Sequence, residues 1–112
     1  MKRNNIGEFE EIVLLFTMIQ HPRAYGLSIT ESIKAELGRS VTLSSVHTAL
    51  YRLEEKGLVQ SGLGEPSSKR GGRRKRLYTI THLGKESLQE VQETRKKLWS
   101  MIPQNLIQGW QI

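Results

Sequence analysis

Hydrophobic residues return at helical spacing in several separate stretches of this chain. In "GEFEEIVLLFTMIQ", Phe9, Ile12, Val13, Phe16 and Ile19 recur every three or four positions behind an acidic opening turn. This predicts a helix over about 7–20, closed at His21-Pro22 because proline disfavours helical geometry in the residue before it. Tyr25, Ile29, Ile33 and Leu37 step by four and predict a second helix over about 25–37, with Gly38 ending it. Ser28 and Glu31 have capping-box spacing, which leaves open a start one turn later. A third helix is predicted over about 42–56, from an N-cap at Thr42 to a stop at Gly57. On its wheel Leu43, Val46, Leu50 and Leu53 share one face, while Ser44, Ser45, Thr48, Arg52 and Glu55 point the other way. Tyr51 flanks the polar face, and His47 stands at the edge of the apolar stripe.

The periodicity then changes. "LVQSGLG" and "RKRLYTI" carry β-branched or aromatic residues in rough alternation and flank a Gly/Ser-rich stretch containing Pro66, which reads as a hairpin with a long tip. Thr81 is placed to cap a final helix. Its Leu88, Val91, Leu98 and Ile102 follow heptad spacing, with Arg95 interrupting the seam and Pro103 stopping it. A helix with so narrow an apolar stripe wants a partner. Three helices, a hairpin and a helix predict a mainly α fold with a small β-hairpin: a winged helix-turn-helix with an N-terminal helix and a C-terminal dimerisation helix. The expected organisation is a DNA-binding unit over 1–80 and a dimerisation helix with its tail over 81–112, together one compact body.

Charge sharpens this picture. Residues 69–76 read "KRGGRRKR", so six of the chain's 17 basic residues lie in one short run and the remainder balances at 11 basic and 11 acidic. A solvated loop is the ordinary meaning of such a run. At the tip of a wing, however, it is an electrostatic footprint for a polyanion. Arginines suit phosphates and narrow minor grooves because of their fork and weak hydration. Lys69, Arg70, Arg73, Arg74, Lys75 and Arg76 are therefore candidate DNA contacts from the wing, 61–76. Tyr78 offers its hydroxyl to DNA or is half-buried. On the third helix, over 42–56, the small hydroxyls and Arg52 suit a major groove, with Thr42, Ser44, Ser45, His47, Thr48, Tyr51 and Arg52 as candidates. Arg52 could instead pair with Glu54 or Glu55. His47 either bonds a phosphate or fills a core position.

Other chemistry is excluded or unsupported. The chain has no cysteine, so disulfides and thiolate chemistry are out. "IVLLF" is too short to span a bilayer, and Glu8, Glu10 and Glu11 before it argue against a signal peptide. His21, His47 and His82 fall on three different elements without ligand spacing, so no metal is expected. No nucleophile stands beside a base, and "GEPSSKRGG" lacks the GK[ST] ending of a P-loop. Neither an enzyme nor a bound cofactor is expected, and the location expected is the cytoplasm, on the nucleoid.

The stretches "GEFEEIVLL", "AYGLSITESI", "TALYRLEEKGLV", "GEPSSKRGGRRKRLYTIT" and "LGKESL", in this order and spacing, span about residues 7–90 and resemble the PadR-like transcriptional regulators with a short C-terminal region. The resemblance implies a homodimeric bacterial repressor of double-stranded DNA, with the third helix in the major groove, the wing on the backbone or minor groove, and the last helix forming the dimer. The chain departs from the family at His47, where a tyrosine is usual, and at Ser44, near a usual glycine. Phe9, Leu88, Val91, Arg95, Leu98, Trp99 and Ile102 are the residues expected at the dimer interface. In some relatives a tryptophan on this helix lines an intersubunit pocket for flat aromatic ligands; Trp99 or Trp110 would fill that role here, or else simply pack. Two other functions compete: a small-molecule sensor, and a winged-helix module for an acidic protein partner.

Overall fold

A computed structural model of the 112-residue chain describes residues 6–65 and 74–110. The elements run α1 (Glu8–Ile19), α2 (Gly26–Leu37), α3 (Leu43–Glu55), β1 (Val59–Leu63), β2 (Arg76–Ile80) and α4 (His82–Ser100), followed by a 3-10 turn at Gln104–Leu106. β1 and β2 are antiparallel, with Val59 opposite Ile80 and Leu63 opposite Arg76. This is the winged helix-turn-helix arrangement that the periodicity predicts.

Each α-helix is built where its apolar stripe meets the others. Val13, Leu14 and Phe16 from α1 pack against Ile29 and Ile33 of α2 and against Val46, Ala49, Leu50 and Leu53 of α3. Leu58 and Val59 bring the hairpin onto the same core, which it needs because a two-stranded ribbon is marginal by itself in water. Glycine sets two of the breaks: Gly38 (φ 62°) ends α2 and Gly57 (φ 77°) follows α3, both in the left-handed region.

Two local expectations change. α2 starts at Gly26 and not a turn later; Ser28 is its third residue, and its Oγ accepts from the Tyr25 N–H at 3.2 Å while Tyr25 stands at the N-cap. Leu37 does not share the burial of Ile29 and Ile33, since α2 is running out of core there.

α1 is tied down electrostatically as well. Its Glu8 pairs with Arg39 at 2.9 Å, Glu10 with Lys56 at 2.7 Å and Glu11 with Arg95 at 3.4 Å. The acidic opening turn thus faces three different elements of its own chain. Each such pair contributes at most about 1 kcal/mol near the surface.

One residue joins three elements. The Thr81 hydroxyl donates to the Gly57 carbonyl at 2.6 Å and accepts from the Gly84 N–H at 3.0 Å, linking the end of α3, the end of β2 and the first turn of α4. Leu88 is buried in the chain's own core. Beyond it α4 leaves the body, and Leu98, Trp99 and Met101 are exposed. No helix among the described residues is long and apolar enough to cross a membrane.

Candidate nucleic-acid interface

The N-terminal end of α3 is held by a reciprocal cap. Thr42 Oγ1 accepts from the Ser45 N–H at 3.0 Å, and Ser45 Oγ donates to the Thr42 carbonyl at 2.8 Å. Both hydroxyls, expected on a DNA-facing surface, thus also take part in starting the helix. Ser44 and Thr48 remain exposed, with Thr48 Oγ1 donating back to the Ser44 carbonyl at 3.0 Å. Arg52 is exposed and pairs with neither Glu54 nor Glu55.

Two residues of this helix lie elsewhere than the wheel put them. Leu43 was expected on the buried stripe but is 41% exposed, because it is the first residue of the helix and projects past the rim of the core. His47 is exposed, which removes its reading as a core residue. Its imidazole lies directly over Gly26 at the start of α2, so closely that a Cβ added there would overlap the ring. Glycine at 26 is what lets the histidine lie down against the neighbouring helix.

The hairpin meets this surface from the side. The Tyr78 N–H donates to the Ala24 carbonyl at 2.8 Å, an isolated bridge that adds the segment before α2 to the edge of β2. Ser61 Oγ donates to Glu54 at 2.8 Å and accepts from Arg76 at 3.0 Å, tying the base of the hairpin to the last turn of α3. Lys75 Nζ lies 4.3 Å from the centroid of the Tyr25 ring and 3.2 Å from its hydroxyl. That combines a cation–π contact with a hydrogen bond and anchors the wing to α2.

The result is a cleft with three walls: Tyr25, Gly26 and Leu27 from α2, Leu43 and His47 from α3, and Lys75, Arg76 and Tyr78 along the hairpin. A shallower concavity continues along α3 past Ser44 and Thr48 to Tyr51. Among the described residues no carboxylate lines either one. Tyr78 is half-buried at the back, and its phenol is pushed above its ordinary pKa by burial first and by Glu54 second, with Arg76 opposing. Arg74, Lys75 and Arg76 are exposed. Lys69, Arg70 and Arg73 lie outside the described residues.

The sequence model of the Transcriptional regulator PadR-like family matches residues 14–90, which takes in α2, α3, the hairpin and the first turns of α4. The chain belongs to the PadR-like family. Among solved structures, a PadR-like transcriptional regulator from Bacillus cereus is similar at 25% identity over 90% of this chain and 92% of that one, with a TM-score of 0.69. A PadR-like transcription factor from Bacteroides fragilis is similar at 24% identity over 82% and 84% of the two chains, with a TM-score of 0.68. A PadR family regulator from Eggerthella lenta gives 23% identity, coverage of 91% and 88%, and a TM-score of 0.65. Comparison with curated proteins finds no match. The family is one of transcriptional regulators rather than enzymes, and among the described residues no cluster of His, Asp and Glu could hold a metal ion.

Val91 and Ile102 are half-buried, while Leu98 is 57% exposed. Arg95 is occupied by Glu11 of its own chain. Phe9 packs partly against its own core. Trp99 and Trp110 stand edge to face with ring centroids 6.2 Å apart, folding the tail back onto the end of α4. Reasoning from sequence missed Tyr25, Leu27 and Leu43 as parts of the cleft. Tyr25 meets Lys75 across 50 residues of chain, and no local pattern marks such a meeting.

Proposed function

We propose that this PadR-like chain is a homodimeric, sequence-specific DNA-binding repressor that works on the nucleoid in the cytoplasm. The observation that carries this reading is the shared cleft. The outer face of α3 and the root of the basic hairpin form adjoining walls, with Lys75 and Arg76 on one side and no carboxylate among the lining residues. A duplex seated there takes α3 into its major groove, with Ser44, Thr48 and Arg52 toward base edges or phosphates. The same placement lays the cations of 69–76 along the backbone or in the adjoining minor groove. The second half of α4, with Leu98 and Trp99 exposed, is the surface on which two copies pair. Twofold pairing presents two reading helices to half-sites about 34 Å apart.

The test is salt dependence. Each phosphate contact contributes about 0.9 to the slope of log affinity against log salt. Arg73→Ala combined with Arg74→Ala should lower that slope by up to roughly two and weaken selected and random duplexes alike. Unaltered salt dependence in the double variant removes the wing from the DNA. A second reading rests on the Trp99–Trp110 pair, whose rings are 45% and 60% exposed: an effector site for flat aromatic molecules at the dimer surface. Quenching of tryptophan fluorescence by planar aromatics supports it, and an unchanged spectrum rejects it.

A further inference from the structure

The outer surface of α3 carries apolar and aromatic side chains among its polar ones. Leu43, His47 and Tyr51 follow one another at intervals of four and form one inclined row along the helix, spanning about 12 Å. Leu43 is 41% and Tyr51 62% exposed, and both border the concavity that runs along the helix. Thr42 and Ser45 each spend a hydrogen bond on the cap and Thr48 Oγ1 donates to the Ser44 carbonyl, so part of the hydroxyl capacity beside the row is used within the helix. Its surroundings narrow the choice of partner. Lys75 and Arg76 stand across the cleft and no carboxylate lines either concavity among the described residues, while past Tyr51 the helix carries both signs, Arg52 and then Glu54 and Glu55. The occupant must therefore be polyanionic overall and still display apolar groups spaced a few ångströms apart.

Duplex DNA meets both conditions in one place. Its backbone is anionic, and the one apolar group on a major-groove base edge is the 5-methyl of thymine. Resting on the DNA-binding reading above, we infer that Leu43 and Tyr51 read thymine methyl groups, making this row the specificity-determining surface of α3. Leu43, at the first residue of the helix, takes a methyl near one end of the half-site; Tyr51, two turns on, takes another some three to four base pairs away. His47 holds the polar position between them, its ring seated on Gly26. A leucine turned instead toward phosphates or toward the amino and carbonyl groups of the other bases would strip water from them and return nothing.

The experiment uses the full chain and a duplex recovered by it from a random pool. The probe is compared with the same duplex carrying uracil for every thymine, which removes the 5-methyl group and leaves every hydrogen-bonding edge in place. Each buried methyl should contribute about fourfold in affinity, so the uracil duplex should bind roughly tenfold or more weakly. Leu43→Ala with Tyr51→Ala, both exposed positions, should bind the two duplexes with a ratio near one while keeping its circular dichroism spectrum. Equal binding of thymine and uracil duplexes by the unaltered protein overturns the inference, as does a thymine preference that survives in the double variant. If the chain retains no duplex at all in low salt, the DNA-binding reading falls first and takes this one with it; a protein partner would then be the occupant of the row.

Discussion

The cleft between α3 and the hairpin and the outer half of α4 both expose large apolar side chains, yet their electrical surroundings differ. The cleft beside Leu43 is lined by Lys75 and Arg76, with no carboxylate in the lining among the described residues. Around Leu98 and Trp99 the sequence "QETRKKLWS" mixes both signs, and Arg95 is already neutralised by Glu11. Exposed hydrophobic surface by itself says only that something covers it. On the proposed reading, the charge beside it suits an anion in the first case and a second copy's mixed surface in the second.

The sharpest way to break this contrast is to introduce acid into the second region. Leu98→Glu with Met101→Glu, both well exposed in the single chain, should leave the fold intact and drop the sedimentation mass from two chains to one. Losing one of two linked half-site contacts should weaken binding to the selected duplex by roughly a hundredfold or more. A mass of one chain for the unaltered protein would end the distinction between the two regions.

A smaller effect separates a structural joint from a reading surface. At Gly84 an added methyl meets the Leu58 carbonyl and Ile80 Cγ1, a backbone obstacle that cannot yield. Gly84→Ala should therefore cost about 1–3 kcal/mol, measured by urea unfolding. At Gly26 the obstacle is the exposed His47 ring, which can swing away, and alanine favours the helix by up to about 1 kcal/mol. Gly26→Ala should leave stability within about 1 kcal/mol of the parent and alter DNA preference instead. Equal destabilisation at both positions would show the histidine to be as immovable as the backbone.

The smallest effect is electrostatic. The Tyr78 phenol is raised in the folded chain, so the unfolded chain loses that proton first as pH climbs. Its contribution to stability is present below the ordinary phenol range and is lost as pH rises through the folded value. Tyr78→Phe should flatten the fall in stability above about pH 10, and identical curves for the two proteins would place the phenol in open water.

Much of the fold could be read from periodicity because three helices, a hairpin and a helix each carry their own local signal. Thr42, Gly38, Gly57 and Thr81 all act at the boundaries where residue type alone put them. The candidate site was less legible, for three physical reasons. A helical wheel ranks faces but does not say where the core stops, so Leu43 was assigned to the inside. Hydroxyl side chains serve both capping and recognition, and residue type alone did not show that Ser45 shares the cap with Thr42. Contacts between distant residues leave no trace in a local pattern, which hid both the Lys75–Tyr25 anchor and the Ala24–Tyr78 bridge. The burial of Leu88 belongs to the same class: heptad spacing alone does not say that its first member packs into the chain's own core.

The Thr81 junction has a mechanical meaning. The 19-residue α4 starts at a hydroxyl that also holds the end of α3, and its first turns are seated in the same core through Gly84, Ser87 and Leu88. A helix of that length is about 28 Å long, and a change of ten degrees in its direction carries its far end about 5 Å, more than the rise of one base pair. If two copies pair through that far end as proposed, the spacing of their third helices follows from the direction α4 takes at this junction.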